Sequence, residues 1–142
     1  MSRLPLILFI LFFWVSIFAE TKQKSICLSL VDCEKHADST EIHRKKITFL
    51  TFGISEYASN ASSRDLVPLY LKRLKSTILE ANGETGYKGE IVLKVTHKPE
   101  YKIAQLNKAE DDVRFLESNQ KSLSKEELDE LEKLKVLLGD SK

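Results

Sequence analysis

"KITFLTFGISEY", residues 46–57, decides the fold. Residues 47–52 carry β-branched or aromatic side chains at nearly every position, with no polar/apolar alternation. A short apolar run of that kind suits a strand covered on both faces. Gly53 ends it, and "ISEYASNASS" (54–63) reads as a loop rich in Ser, Ala and Asn. Read this way, residues 47–52 deliver that loop to the carboxyl end of a parallel strand, where open α/β sheets place ligand crevices. Gly53, Ser55, Glu56 and Tyr57 are therefore the expected ligand- or partner-binding residues, by analogy at the level of the fold alone.

Helix signals follow the loop. Ser63 or Asp65 can cap, and Pro68 falls in the first turn, where its missing N–H does little harm. Leu66, Tyr70, Leu74 and Ile78 recur close to a 3.6-residue period, widened by Val67, Leu71 and Ala81, while Lys72, Arg73 and Lys75 take the wet face. Asn82-Gly83 closes the helix as a left-handed C-cap pair. "GETGYKG" (83–89) reads as a turn, and "EIVLKVT" (90–96) alternates as a half-buried strand. Strand, helix, strand makes a βαβ unit with parallel strands and a right-handed crossover. Phe49 and Leu74 are then expected to share one core between strand and helix.

The tail is different in kind. Pro99 opens a helix running to Ser118, with Ile103, Leu106, Val113 and Leu116 on a narrow stripe, and "NQKS" (119–122) breaks it. Ser124 and Glu127 form a capping box, with Leu123 and Leu128 as the hydrophobic staple around it. Leu128, Leu131, Leu134 and Leu138 line the next helix and Gly139 stops it. The heptads are too few for a coiled coil, so both stripes are expected to cover the small sheet, with a partner surface as the alternative. The expected fold class is thus α/β, or α+β: a small single domain with a βαβ unit and a C-terminal helical hairpin. Its divisions are a signal peptide at 1–19, a polar segment at 20–46 with an edge strand at "ICLSLV" (26–31), the βαβ core at 47–99 and the hairpin at 100–142.

Export is read from the first residues. Arg3 supplies a positive n-region, residues 4–18 are almost wholly apolar, and Ile17 and Ala19 suit a signal peptidase. The apolar run falls short of the roughly 20 residues of a spanning helix. The expected location is secreted or periplasmic, with a membrane contact only if the segment is retained as an anchor. The whole chain carries 22 Lys+Arg and 21 Asp+Glu. Only Arg3 of these lies in the leader, so the remainder is formally neutral and lacks the basic footprint of a nucleic-acid binder. Cys27 and Cys33, the two cysteines, can bridge in an oxidising compartment if residues 28–32 bend back as a loop. If "ICLSLV" is a straight strand, the thiols stay apart.

Familiar chemistry is missing. Cys27, Cys33, His36 and His43 match no standard zinc spacing, and the histidines are expected on the surface. "GETGYKG" lacks the order of a phosphate loop and precedes a strand, no Gly-x-Ser-x-Gly elbow exists, and no calcium loop is present. The carboxylates of "EDD" (110–112) and "KEELDE" (125–130) read as solvated helix faces. "NAS" (60–62) fits a glycosylation sequon. No metal, cofactor or catalytic residue is expected.

Two likenesses to known families remain. "FLTFGISEYASN" resembles the first strand and loop of caspase-like peptidases, with the later "EIVLKV" and "DDVRFL" in order; the likeness spans residues 46–117. It implies an inactive or truncated relative, because no His follows His97 and no Cys follows Cys33. "YLKRLKSTI" followed by "YKGEIVLKV" resembles C-terminal periplasmic domains of the TonB/TolA type over residues 70–95. It implies a membrane-tethered accessory protein, although helices replace the hairpin strand that should follow. The expectation that gathers these observations is a small exported, non-catalytic binding or interaction protein of the cell envelope, with a protein as partner. A degenerate caspase-like hydrolase fragment and a TonB/TolA-type accessory protein are the alternatives.

Overall fold

The computed structural model describes residues 26–142. The expected signal peptide, its cleavage point and its alternative as an anchor lie outside the described residues. In chain order the elements are α1 (Leu30–Asp38), α2 (His43–Tyr57), α3 (Ser63–Ala81), β1 (Glu84–Lys88), β2 (Ile91–Lys94), α4 (Pro99–Ser118) and α5 (Lys125–Asp140). The domain is mostly helical, with a two-stranded antiparallel sheet.

The expected first strand is helix. Residues 47–52 lie inside α2, and so the βαβ unit gives way to a helical layer. Leu50 and Ile54 are buried four residues apart, the spacing of one helix face. They pack with Ala37 of α1 and Leu69 of α3. The β-branched content is absorbed locally: Thr48 Oγ1 donates to the Arg44 carbonyl one turn back at 2.9 Å. Burial between two helices overrides the strand preference of such residues, a preference that is itself mostly a matter of packing.

Gly53, read as the end of a strand, sits in mid-helix and makes room for the disulfide. A Cβ there would lie 2.8 Å from Cys33 Cβ. Cys27 and Cys33 are bridged, with Cα atoms 5.1 Å apart. The expected edge strand at 26–31 is absent, since Ser29 caps α1 by accepting from the Asp32 amide and Leu30 begins the helix. The bridge therefore ties the entry of α1 to its first turn. It fits an oxidising compartment. Among the described residues no helix is long and apolar enough to cross a membrane. Gly53→Ala is expected to lower the melting temperature, because overpacking costs about 1–3 kcal/mol against a helix-propensity gain of up to about 1 kcal/mol. The tethered Cys33 cannot move aside cheaply. A melting temperature equal to or above wild type would show that it can.

α3 is the central helix and has two working faces. Val67, Leu71, Leu74 and Ile78 meet Leu106, Ala109 and Leu116 of α4 and Leu131, Leu134 and Leu138 of α5. Leu69 turns the other way, toward α2 and α1. Phe49 packs against that second cluster, so Phe49 and Leu74 lie in separate cores rather than in one. The C-terminal hairpin forms as expected, but its stripes cover α3 and not a sheet. Ser124 and Glu127 make the complete capping box, and α5 runs one residue past Gly139.

α3 begins at Ser62, whose side chain and that of Asp65 form a second capping box. It ends at Asn82, followed by Gly83 at φ 87°. "GETGYKG" is strand rather than turn. β1 pairs antiparallel with β2, Tyr87 opposite Val92 and Lys88 opposite Ile91, through a two-residue turn with Gly89 at φ 61°. A hairpin therefore stands where a parallel crossover from 47–52 was expected: 47–52 is helix, and the strands that do form are separated by only two residues, too few for a parallel connection.

Candidate functional site

A cleft of 430 Å³ opens between the first three helices, roofed by the hairpin. Helical spacing explains its lining. His43, Lys46 and Leu50 share one face of α2, and Leu71, Lys75 and Leu79 share one face of α3. Ala37 and Pro68 complete an apolar floor, Tyr87 enters from β1, and Glu127 and Glu130 of α5 stand on the far rim.

His43 is the unusual group. It is only 4% exposed, and both ring nitrogens are buried without a hydrogen-bond partner among the described residues. Such groups are rare in proteins and call for a reason. Its position is built by the hairpin. The Tyr87 amide donates to the Glu41 carbonyl at 3.2 Å, and Ile42 bridges to Gly86. Gly86, at φ 148°, is required here, because a Cβ would run into the backbone of Glu41 and Ile42. This close approach sets the Tyr87 ring edge-on to His43, with centroids 5.7 Å apart.

Burial, joined by the positive charge of Lys46, pushes the His43 imidazole below its ordinary value of 6.5. The ring is therefore neutral around pH 7. A depressed folded value makes His43 contribute stability above pH 6.5, and that contribution is lost as the pH falls through the folded value. The stability gap between wild type and His43→Gln is expected to shift toward the variant over that window. Parallel curves from pH 7 to pH 4 in urea titrations would refute the assignment.

Charge in the cleft is unevenly matched. Lys72 bridges Glu34 and Asp38, both at 2.7 Å. Glu127 is held by Arg64 and by the Ser124 amide. Lys46 and Lys75 form no ion pair among the described residues, and of the lining carboxylates neither does Glu130.

Behind the cleft a second polar cluster joins three helices. Glu80 of α3 is 1% exposed. Its Oε1 accepts from Arg44 Nη2 of α2 at 3.0 Å and from Tyr101 Oη of α4 at 3.1 Å. His97 Nε2 stands 3.5 Å from the same oxygen, and the second carboxyl oxygen has no partner. His97 is half-buried and stacks at a tilt on Tyr101 at 4.4 Å. Two donors, from α2 and α4, converging on one buried oxygen of α3 describe a tie between helix ends. The histidines were expected on the surface; His36 alone is exposed there, stacked on Phe49 at 5.3 Å.

The residues singled out by sequence occupy the other end of α2. Gly53 is buried on the disulfide. Ser55 is exposed and donates to the Phe52 carbonyl at 3.0 Å. Glu56 is exposed, and Tyr57 donates to the Cys27 carbonyl at 2.9 Å, pinning the segment before α1. These side chains follow the helix around and do not converge on the cleft, and the strand-end loop that motivated them is helical. The segment resembling the first strand of caspase-like peptidases is thus the body of a helix. Over residues 70–95 the chain does run helix then strand, with two short antiparallel strands. Among the described residues no group of His, Cys, Asp and Glu is arranged to hold a metal ion. Sequence reasoning missed His43, Lys46 and Tyr87; the only signal available was the 43/46/50 spacing, which becomes visible once 43–57 is read as helix.

No protein-family model matches the chain, and neither the curated proteins nor the solved structures searched contain a match to it.

Proposed function

We propose that this chain is a small exported protein of the cell envelope that works by binding, and that the cleft between α1, α2 and α3 is its recognition site. One observation carries the reading: a cleft with an apolar floor and a charged rim presents a buried histidine whose two nitrogens are unpartnered among the described residues. Ligand sites are typically concave and largely apolar, with a few placed polar groups. A working hydrolase would need a nucleophile beside a base. Here both cysteines are bridged, and among the described residues no carboxyl group stands within ion-pairing distance of His43. Support for export comes from the leader-like residues 1–19 and from the Cys27–Cys33 bridge.

Two measurements test the reading. Protein recovered outside the exporting cell's inner membrane should have the intact mass of residues 20–142; a species retaining Arg3 in the membrane fraction would favour the tethered form. A fragment mixture titrated into isotope-labelled protein should produce saturable NMR shifts that cluster on Leu50, Leu71, Leu79 and His43. Shifts confined to other surfaces, or turnover of ester or peptide substrates by the pure protein, would overturn it.

A further inference from the structure

We propose that the cleft binds a monoanionic organic acid: a carboxylate held at the His43 end and an apolar body lying on Leu50, Leu71 and Leu79. The inference rests on the cleft being the recognition site, and names the chemistry that fits it.

Charge bookkeeping selects the head group. The cleft is lined by three lysines and three carboxylates. Asp38 neutralises Lys72 together with Glu34, and Glu127 is occupied by Arg64 and the cap of α5. Lys46 and Lys75 are left facing Glu130 alone. The Lys46–Lys75 end therefore holds the two lining cations that no carboxylate pairs among the described residues. His43 stands one turn before Lys46 on the same face of α2 and lines the same cleft as Lys75, and the charge of each lysine acts on its ring. Glu80 and Glu84 also act on it, in the opposite sense. Glu80 is held by Arg44 and Tyr101, and neither Glu80 nor Glu84 lines the cleft.

A carboxylate placed there answers three observations together. It accepts an N–H from the neutral imidazole, so a buried donor gains its partner. It gives the unpaired lysines an anionic partner, in charge-assisted hydrogen bonds. Its body covers the apolar floor, whose burial is favourable by about 25 cal/mol per Å². A neutral ligand of the same shape would meet only the third requirement. A bare inorganic anion would meet only the first two. A cationic ligand would be repelled by Lys46 and Lys75. The volume, 430 Å³, lies within the range of about 300–1,000 Å³ common for small-molecule sites.

The test compares octanoate, octanol and acetate as probes of the secreted protein, followed by NMR of the His43 ring and the cleft amides. Octanoate is expected to give saturable shifts at His43, Lys46 and Lys75, with octanol and acetate each at least about tenfold weaker, the factor expected for one hydrogen bond to a charged group. Lys46→Ala with Lys75→Ala should weaken octanoate by at least the same factor and leave octanol unchanged. Both lysines reach solvent, and the unchanged spectrum of the remaining core checks that the double variant folds. Glu130→Gln should strengthen octanoate binding. If octanol binds as well as octanoate, or the double variant binds octanoate normally, the anion assignment falls while the cleft remains a binding site. If no probe shifts the cleft residues, the anion assignment and the binding reading fall together.

Discussion

Truncating Leu74 to Ala is expected to lower the free energy of unfolding by about 3–5 kcal/mol. Leu74 is fully buried near the middle of α3, in the cluster built by α4 and α5. Its neighbours come from three helices, each anchored separately. α3 starts at a capping box on Ser62, and α5 starts at one on Ser124. α4 is joined to α3 by the Tyr70–Phe115 stack, with ring centroids 3.7 Å apart, and by the Arg73–Asp112 pair. Walls held in that way cannot collapse into the space left by a deleted isobutyl group, which places the cost toward the upper part of the usual range. Urea unfolding followed by circular dichroism measures it. Phe49→Ala should cost less, because Phe49 is only half-buried and belongs to the smaller cluster. A loss below about 1 kcal/mol for Leu74→Ala would mean that α3 is not the shared centre of the domain.

Asp112→Ala is expected to cost about 3–5 kcal/mol, for a different reason. Asp112 is 2% exposed and takes a bidentate contact from Arg73, Nη2 to Oδ1 at 2.5 Å and Nε to Oδ2 at 3.0 Å. The same guanidinium lies over the Tyr70 ring at 4.9 Å. Removing the carboxylate leaves a largely buried cation without its partner. Burial pushes the Asp112 carboxyl above its ordinary range while Arg73 pulls it down, and burial prevails. The intact pair therefore loses in desolvation much of what it gains in attraction. Replacing both partners, Arg73→Met with Asp112→Leu, should accordingly be close to neutral or stabilising, in contrast to the single change. Equal losses in the single and double variants would show that the pair stabilises the domain by attraction after all.

The elements read correctly from the sequence share a property. α3, α4 and α5 announce themselves by signals whose partners lie within four residues: Pro99 at the first position of α4, Ser124 with Glu127, the 3.6-residue stripes, and Asn82-Gly83 at the end of α3. Local chemistry decides such features before any tertiary contact forms. The bridge between Cys27 and Cys33 was legible as a conditional: it needed the intervening residues to bend back, and the start of α1 bends them.

Tertiary structure decided the rest. Residues 47–52 offered no alternation and a strong strand composition, and they became helix because α1 and α3 cover them on two sides while the Thr48 hydroxyl bonds within the turn. The expected parallel pairing of 47–52 with 90–96 was lost with that strand, and 84–88 supplied an antiparallel partner instead, with Gly86 allowing close contact with the Glu41–Ile42 backbone. The candidate site was the least legible of all. His43 owes its burial to packing under β1, with Tyr87 lying 44 positions later in the chain, and Lys46 and Lys75 line one cleft only when α2 and α3 are side by side. By itself, then, the sequence determined the helices that cap and terminate themselves, the apolar stripes and the chance of a bridge, all set by neighbours along the chain. The fate of an ambiguous apolar run and the convergence of the cleft residues depend on which surfaces meet, and only the packed structure decides that.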